Sequence, residues 1–228
     1  MKTSKPYEDP ELRRVLGDAL RPGGLEITER ALNLCGFKDG ARLLDLGCGP
    51  GATLEFLTRR GFQALGLDSS PGFLAEAATR GEVIAGDFCD IPLPGCSVDG
   101  VFCECVLSLA PDKKKFLTEC ARVMKPGGRL AVSDVFCSPE TRGGPAGGKS
   151  ANCAGGAMSF DAFNAAARDC GFELIKVIDC STALKTIAAR VVWHFGTAEA
   201  LERFWPGGRA GRPAAYFLII AGKGETHD

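Results

Sequence analysis

A short apolar run that delivers the chain straight into glycines limits the available folds more than any other feature. The segment is Leu43-Leu44-Asp45-Leu46-Gly47-Cys48-Gly49-Pro50-Gly51-Ala52. Ala41–Gly47 reads as a buried strand, and Ala52–Arg60, stopped by Gly61, as a helix. Between them, Gly47, Gly49 and Ala52 satisfy the Gly-x-Gly-x-x-Gly/Ala spacing of a turn whose backbone can approach a ligand closely. Alone, that spacing describes a tight strand-to-helix turn equally well.

The alternation continues. Phe62–Asp68 reads as a strand, Pro71–Arg80 as a helix and Glu82–Asp87 as a strand. Val98–Cys105 is the next strand and Lys113–Met124 the next helix; after a turn at Lys125–Gly128, Arg129–Phe136 is again a strand. This rhythm predicts an α/β protein, a Rossmann-like, mostly parallel sheet with helices on both faces. Residues 1–40 read as an N-terminal helical cap, with helices at Glu11–Leu20 and Leu25–Leu34 broken by Arg21-Pro22-Gly23-Gly24. Residues 137–157 form a glycine-rich loop expected over the mouth of the sheet. Beyond it come helix Phe160–Cys170, strand Phe172–Asp179, helix Leu184–Phe195 and a last strand, Ala214–Gly222. Residues 1–228 are expected to form a single domain.

Charge narrows the partners. Twenty-seven basic residues against 28 acidic ones give a net charge of −1, without the excess of a nucleic-acid binder. Arg203, Arg209 and Arg212 form a modest cluster that reads as a solvated loop. No apolar run approaches the roughly 20 residues of a membrane span. MKTSKPYEDPELRR lacks the apolar core of a secretory signal, so a cytoplasmic protein without a membrane partner is expected. The eleven cysteines include no Cys-x-x-Cys pair, and Cys89, Cys96, Cys103 and Cys105 lack zinc-ribbon spacing. Free thiols and no metal are expected. Oligomeric state is not indicated.

The acids around the loop point to its ligand. A pyrophosphate site wants amide hydrogens and a helix N-terminus, and Asp45 would repel it. Asp45 would attract an ammonium group, directly or through water. Asp68 ends the second strand about 20 residues on, where a carboxylate reads a ribose diol. Asp87 ends the third strand, placed to accept from an adenine amino group. S-adenosylmethionine satisfies all three, whereas a dinucleotide satisfies Asp68 but meets Asp45. Two plainer roles stay open: Asp68 as a helix cap and Asp87 as a turn residue.

Leu44–Gly51, Gly66-Leu67-Asp68-Ser69-Ser70, Gly86-Asp87 and Lys125–Leu130 together resemble the successive motifs of class I S-adenosylmethionine-dependent methyltransferases of the type-11 group. The resemblance implies seven strands, the seventh antiparallel and inserted between the fifth and sixth. It implies that Asp45, Gly47, Cys48, Gly49 and Gly51 hold the methionine part, that Asp68 takes the ribose, that Ser69 is a further cofactor-binding residue, and that Asp87 and Phe88 face the adenine. Glu104 would lie beside the transferring methyl. The implied activity is in-line methyl transfer to a small-molecule acceptor, in which the protein mainly supplies position. Glu104 and Asp134 are candidate bases, while His194 reads as structural. Cys48, Cys105, Cys137 and Cys180 are expected at the ligand-bearing end of the sheet. A narrower similarity, in Glu104–Lys113 and Asn152–Ala157, is to arsenite methyltransferases, and implies a substrate-contacting thiol at Cys153. The N-terminal cysteine pair of that family is missing here. The alternatives are therefore metalloid methylation and a non-catalytic, thiol-rich binding protein of the same fold.

Overall fold

The computed structural model describes residues 6–137, 156–197 and 214–224. Five parallel strands carry the alternating half: β1 (Arg42–Leu46), β2 (Gln63–Asp68), β3 (Glu82–Ala85), β4 (Val98–Glu104) and β5 (Met124–Cys137). Downstream lie β6 (Met158–Ser159), β7 (Phe172–Asp179) and β8 (Ala214–Lys223). The sheet order is β3-β2-β1-β4-β5-β8-β7, and β8 runs antiparallel to both of its neighbours. The expected inserted antiparallel strand is thus present. The strand count is eight rather than seven, because the two-residue β6 pairs with the end of β5. So short a strand leaves no alternation in sequence to find.

Both faces of the sheet are covered, which is why β1 reads as a continuous apolar run. Leu44 and Leu46 pack into one cluster with Phe116 of α5 (Lys113–Val123) and Phe163 of α6 (Phe160–Asp169). Leu43, next to Leu44, belongs to the cluster on the opposite face. There it meets Ile27 of α2 (Gly24–Cys35) and Leu54 of α3 (Ala52–Arg59). Strand order reverses direction at β1 and β4, so a crevice opens beyond their carboxyl ends.

The N-terminal cap is a separate small assembly. Its helix α1 (Pro10–Leu16) starts well: Asp9 accepts from the Glu11 amide and Pro10 occupies the first turn. It ends four residues earlier than the sequence suggests, because Gly17 turns left-handed (φ 70°) and its N–H closes onto the Arg13 carbonyl. Leu12, Leu16 and Leu20 pack on Ile187 and Val191 of α7 (Ser181–Phe195). Ion pairs tie the same segment to α4 (Pro71–Ala77) and the turn after it. Arg13 binds Asp18 and Glu76 at once, and Arg80 reaches the same two acids. Each charge in this lattice has an opposite neighbour, which holds the Asp18 and Glu76 carboxyls below their usual range.

The expected turn at Lys125–Gly128 is absorbed into β5 as an irregularity. Val98 pairs with Met124 but Gly100 with Arg129, so β5 advances five residues while β4 advances two. Gly100 has no room to be anything larger. A Cβ there would stand 2.2 Å from the tip of the Phe37 ring and 3.0 Å from the Arg129 carbonyl oxygen. Phe37 cannot easily yield, being wedged against Phe62 and Phe102 at centroid distances of 6.4 and 6.2 Å. Gly100→Ala is expected to destabilise the fold by about 1–3 kcal/mol through overpacking. In urea, the unfolding midpoint should fall while the slope stays constant.

Candidate active site

The crevice is built first by backbone. After Leu46 the chain must turn sharply, and Gly47 does so at φ 73°. A side chain there would be strained and would also collide with Val106, whose Cγ2 lies 2.5 Å from the would-be Cβ. The amides of Gly47 and Cys48 both donate to the Leu67 carbonyl, at 2.7 and 3.0 Å, stitching the turn to β2. Asp68, at the end of β2, completes the frame. Its Oδ2 accepts from the Gly49 amide at 2.9 Å and its Oδ1 from the Ser70 amide at 2.8 Å. Asp68 therefore fixes the glycine loop and keeps lone pairs for a ligand. It does not cap α4; Ser70 does, accepting from Phe73.

The resulting cleft encloses about 870 Å³ of space, open solvent at its mouth included. Asp45, Gly47, Cys48, Gly49, Asp68, Ser69, Phe88 and Glu104 all contribute to its wall. Gly51 instead caps α3 at φ 92°, one turn behind the loop. Asp87 is drawn away: its carboxylate is exposed and accepts from the Cys89 amide at 2.6 Å. The plainer reading, a turn residue, describes what Asp87 does here. Phe88 faces the cleft, held edge-on by Phe116 at 5.8 Å.

The floor of the cleft holds buried charge. Glu104 ends β4 and its side chain is 5% exposed; Arg21, from the turn between α1 and α2, is 6% exposed and binds it at 2.8 Å. Thr28 of α2 and Thr53 of α3 each accept from the guanidinium and donate to the carboxylate. Both charges and both hydroxyls are thus paired, leaving only the Arg21 Nε without a partner. A carboxylate so occupied is an anchor rather than a free proton acceptor. Of the two roles expected of Glu104, base or anchor, this geometry suits the anchor. Arg21, Thr28 and Thr53 were not recognised in the sequence, where Arg21-Pro22-Gly23-Gly24 reads as a helix break. An arginine directly before a turn carries no signal of burial.

Asp45 is treated differently. It is 3% exposed and its Oδ2 has no hydrogen-bond partner. Burial, reinforced by the nearby Glu104 carboxylate and opposed by Arg21, pushes its carboxyl up to about 8. The second candidate base, Asp134, lies in the core of β5 with its oxygens bound to the amides of Ser108 and Val135. It shapes the loop after β4. His194 lies on the outer seam, 3.8 Å from Glu11, and does not line the cleft.

The thiols divide. Cys48 and Cys105 line the cleft, Cys137 donates to the Ala157 carbonyl, and Cys180 is buried in the cluster around Leu43. Cys105 is held at φ 58° with its sulfur 3.3 Å from the Tyr216 hydroxyl. Burial and the nearby Asp45 and Asp68 push the Cys48 thiol upward, away from the thiolate. Among the described residues, no group of three or more His, Cys, Asp or Glu could hold a metal ion. Cys153 lies outside the described residues, as do Arg203, Arg209 and Arg212.

The glycine turn, the acid after it and the switch-point crevice together match a known domain. A family model described as a methyltransferase domain aligns with residues 44–132. Residues 44–132 are thus similar to a methyltransferase domain. The trans-aconitate 2-methyltransferase of Methylobacterium nodulans is 44% identical over 96 residues, 40% of this chain and 37% of that protein. The arsenite methyltransferase of Halobacterium salinarum is 30% identical over 160 residues, 60% of this chain and 39% of that protein. The chain thus spans under two fifths of the length of these two relatives. Among solved structures, the [4+2]-cyclase SpnF superposes with a TM-score of 0.79 at 20% identity, covering 96% of this chain and 93% of that one. Phosphoethanolamine N-methyltransferase 2 of Haemonchus contortus, solved with S-adenosyl-L-methionine, gives 0.77 at 20% identity, covering 94% and 56%. These superpositions show that the shared fold extends beyond the matched residues.

The buried pair predicts an asymmetry. Arg21→Met should cost about 3–5 kcal/mol, because Glu104 stays enclosed without its partner. Arg21→Met combined with Glu104→Leu should recover at least half of that loss. Urea denaturation of the two variants beside the parent measures both; equal losses would contradict the pairing.

Proposed function

We propose that this protein is an S-adenosylmethionine-dependent methyltransferase that transfers a methyl group to a small-molecule acceptor by in-line displacement. The observation that carries the reading is Asp45: a carboxylate with a bare Oδ2, enclosed at the end of β1 directly before the glycine turn. A phosphate gives this acid no reason to ionise and would be repelled by its ionised form, whereas a ligand ending in an ammonium group stabilises the carboxylate. Asp68 supplies the second contact, with lone pairs left for a ribose after its two amide bonds. Phe88 supplies an aromatic surface for a base. The bound donor contributes a methyl on a sulfonium, already a good leaving group. The chain's own residues bind, orient and keep water out.

Glu104 enters this reading as a fixed negative charge held by Arg21, Thr28 and Thr53. It stabilises positive charge in the cleft without moving a proton. The relation to an arsenite methyltransferase supports a metalloid acceptor as a second reading, with Cys153 as its thiol. The protonated state favoured at Cys48 weighs against soft-metalloid capture in the described part of the cleft.

Calorimetric titration with S-adenosyl-L-homocysteine and, separately, with a nicotinamide dinucleotide tests the reading. The thioether product should bind and the dinucleotide should not. Asp68→Ala should weaken binding about 10- to 100-fold by removing ribose contacts and loosening the loop. Incubation with a radiolabelled methyl donor and fractionated metabolites, with arsenite as one arm, identifies the acceptor. Tight dinucleotide binding with no response to the thioether would overturn the proposal.

A further inference from the structure

The cleft floor has fewer positive charges than negative ones. Asp45 stands within reach of the Glu104 carboxylate from β4 and the Asp68 carboxylate from β2. The turn after β1 adds the Cys48 thiol, and α3 adds only the neutral Thr53 hydroxyl and the Leu54 amide. The one guanidinium facing this group, Arg21 from the cap, is bound through its terminal nitrogens to Glu104, Thr28, Thr53 and the Ala19 carbonyl, and its unpaired Nε makes no bond to Asp45. Asp45 Oδ2 is left in an enclosed space with no donor. Leaving an ionised carboxylate there is costly, and the group escapes that cost by keeping its proton.

We propose that Asp45 is a protonated acid in the ligand-free protein and gives up that proton when an α-ammonium group enters the cleft, so that ligand binding and proton release are one event. The inference rests on the reading of the cleft as an S-adenosylmethionine site, and deepens it. The balance is simple. The free site carries a neutral carboxyl; the bound site carries a carboxylate beside the ligand's ammonium; one proton goes to the buffer. No covalent bond to the ligand forms or breaks. The direction of the upward shift at Asp45 agrees with the geometry.

The sign of the pH effect follows from linkage. If only the ionised form binds well, affinity must rise with pH below the carboxyl's free-state value and level off above it. Each pH unit in that range is worth about tenfold in Kd for one released proton. S-adenosyl-L-homocysteine is the probe, because it carries the ammonium without the sulfonium charge. Working from pH 5.5 to about 7 keeps an α-amino group protonated throughout.

The experiment is titration calorimetry of the full chain at pH 6.5 in two buffers of different ionisation enthalpy. The difference in heat counts protons released. Close to one proton is expected, with Kd falling about tenfold per pH unit. Asp45→Asn should still bind, more weakly, with no proton release and a flat pH profile. Glu104→Gln removes the neighbouring negative charge and frees Arg21 to serve Asp45, so the proton count should drop well below one. Should Asp45→Asn not fold, the Glu104→Gln comparison still decides. Binding with identical heats in both buffers overturns the proton coupling but leaves the cofactor reading intact. A proton count that persists in Asp45→Asn also overturns it. No binding by the parent protein at any pH overturns the cofactor reading itself.

Discussion

The ion pair between Arg21 and Glu104 joins the two halves of the molecule that make the cleft. One partner belongs to the N-terminal cap and the other to the end of β4. Neither is solvated, so each depends on the other and on the hydroxyls of Thr28 and Thr53. Because α2 and α3 supply those hydroxyls, the cap, both helices and the central strand meet at one point beneath the glycine loop. A buried pair like this adds little stability compared with apolar packing, but its partners fit in one arrangement only. It fixes how the cap sits over the crevice, and it leaves Asp45 as the one carboxylate on the floor with a bare oxygen.

The fold was largely readable because the strands are buried on both faces and bounded by residues with strong local preferences. Leu43, Leu44 and Leu46 form an apolar run interrupted only by Asp45, and Gly47 stops it where Val106 forbids a side chain. Asp9, Ser70 and Asp112 cap helices in the way their chemistry suggests. What escaped the sequence was tertiary in origin. β6 is two residues long and exists because β5 runs on to Cys137. The early end of α1 depends on Gly17, a residue easily passed over between Leu16 and Leu20. The bulge in β5 absorbs a segment that looks like a plain turn.

The site divided along the same line. Asp45, Asp68 and the glycines were legible because strand ends and glycine spacing fix backbone position. Asp87 was placed at the right strand end, yet its carboxylate turned to the Cys89 amide. Glu104 was found by position, but not its partner, which lies 83 residues away in the chain and cannot be inferred from spacing. Asp134 looked like a rim carboxylate, but the Ser108 and Val135 amides claim it. Side chains committed to backbone donors elsewhere in the fold are where motif reading is least informative.

The position of β8 has a consequence for how the chain is assembled. It is the last strand in sequence yet lies inside the sheet, with β5 on one side and β7 on the other. Until residues 214–223 have been synthesised, β7 has no hydrogen-bonding neighbour and the long β5 presents an open edge. A nascent chain halted before that point carries the whole glycine loop and all three floor carboxylates, with a sticky margin in place of a finished sheet. Among the described residues, β8 therefore acts as the keystone that joins β7 to the rest of the sheet.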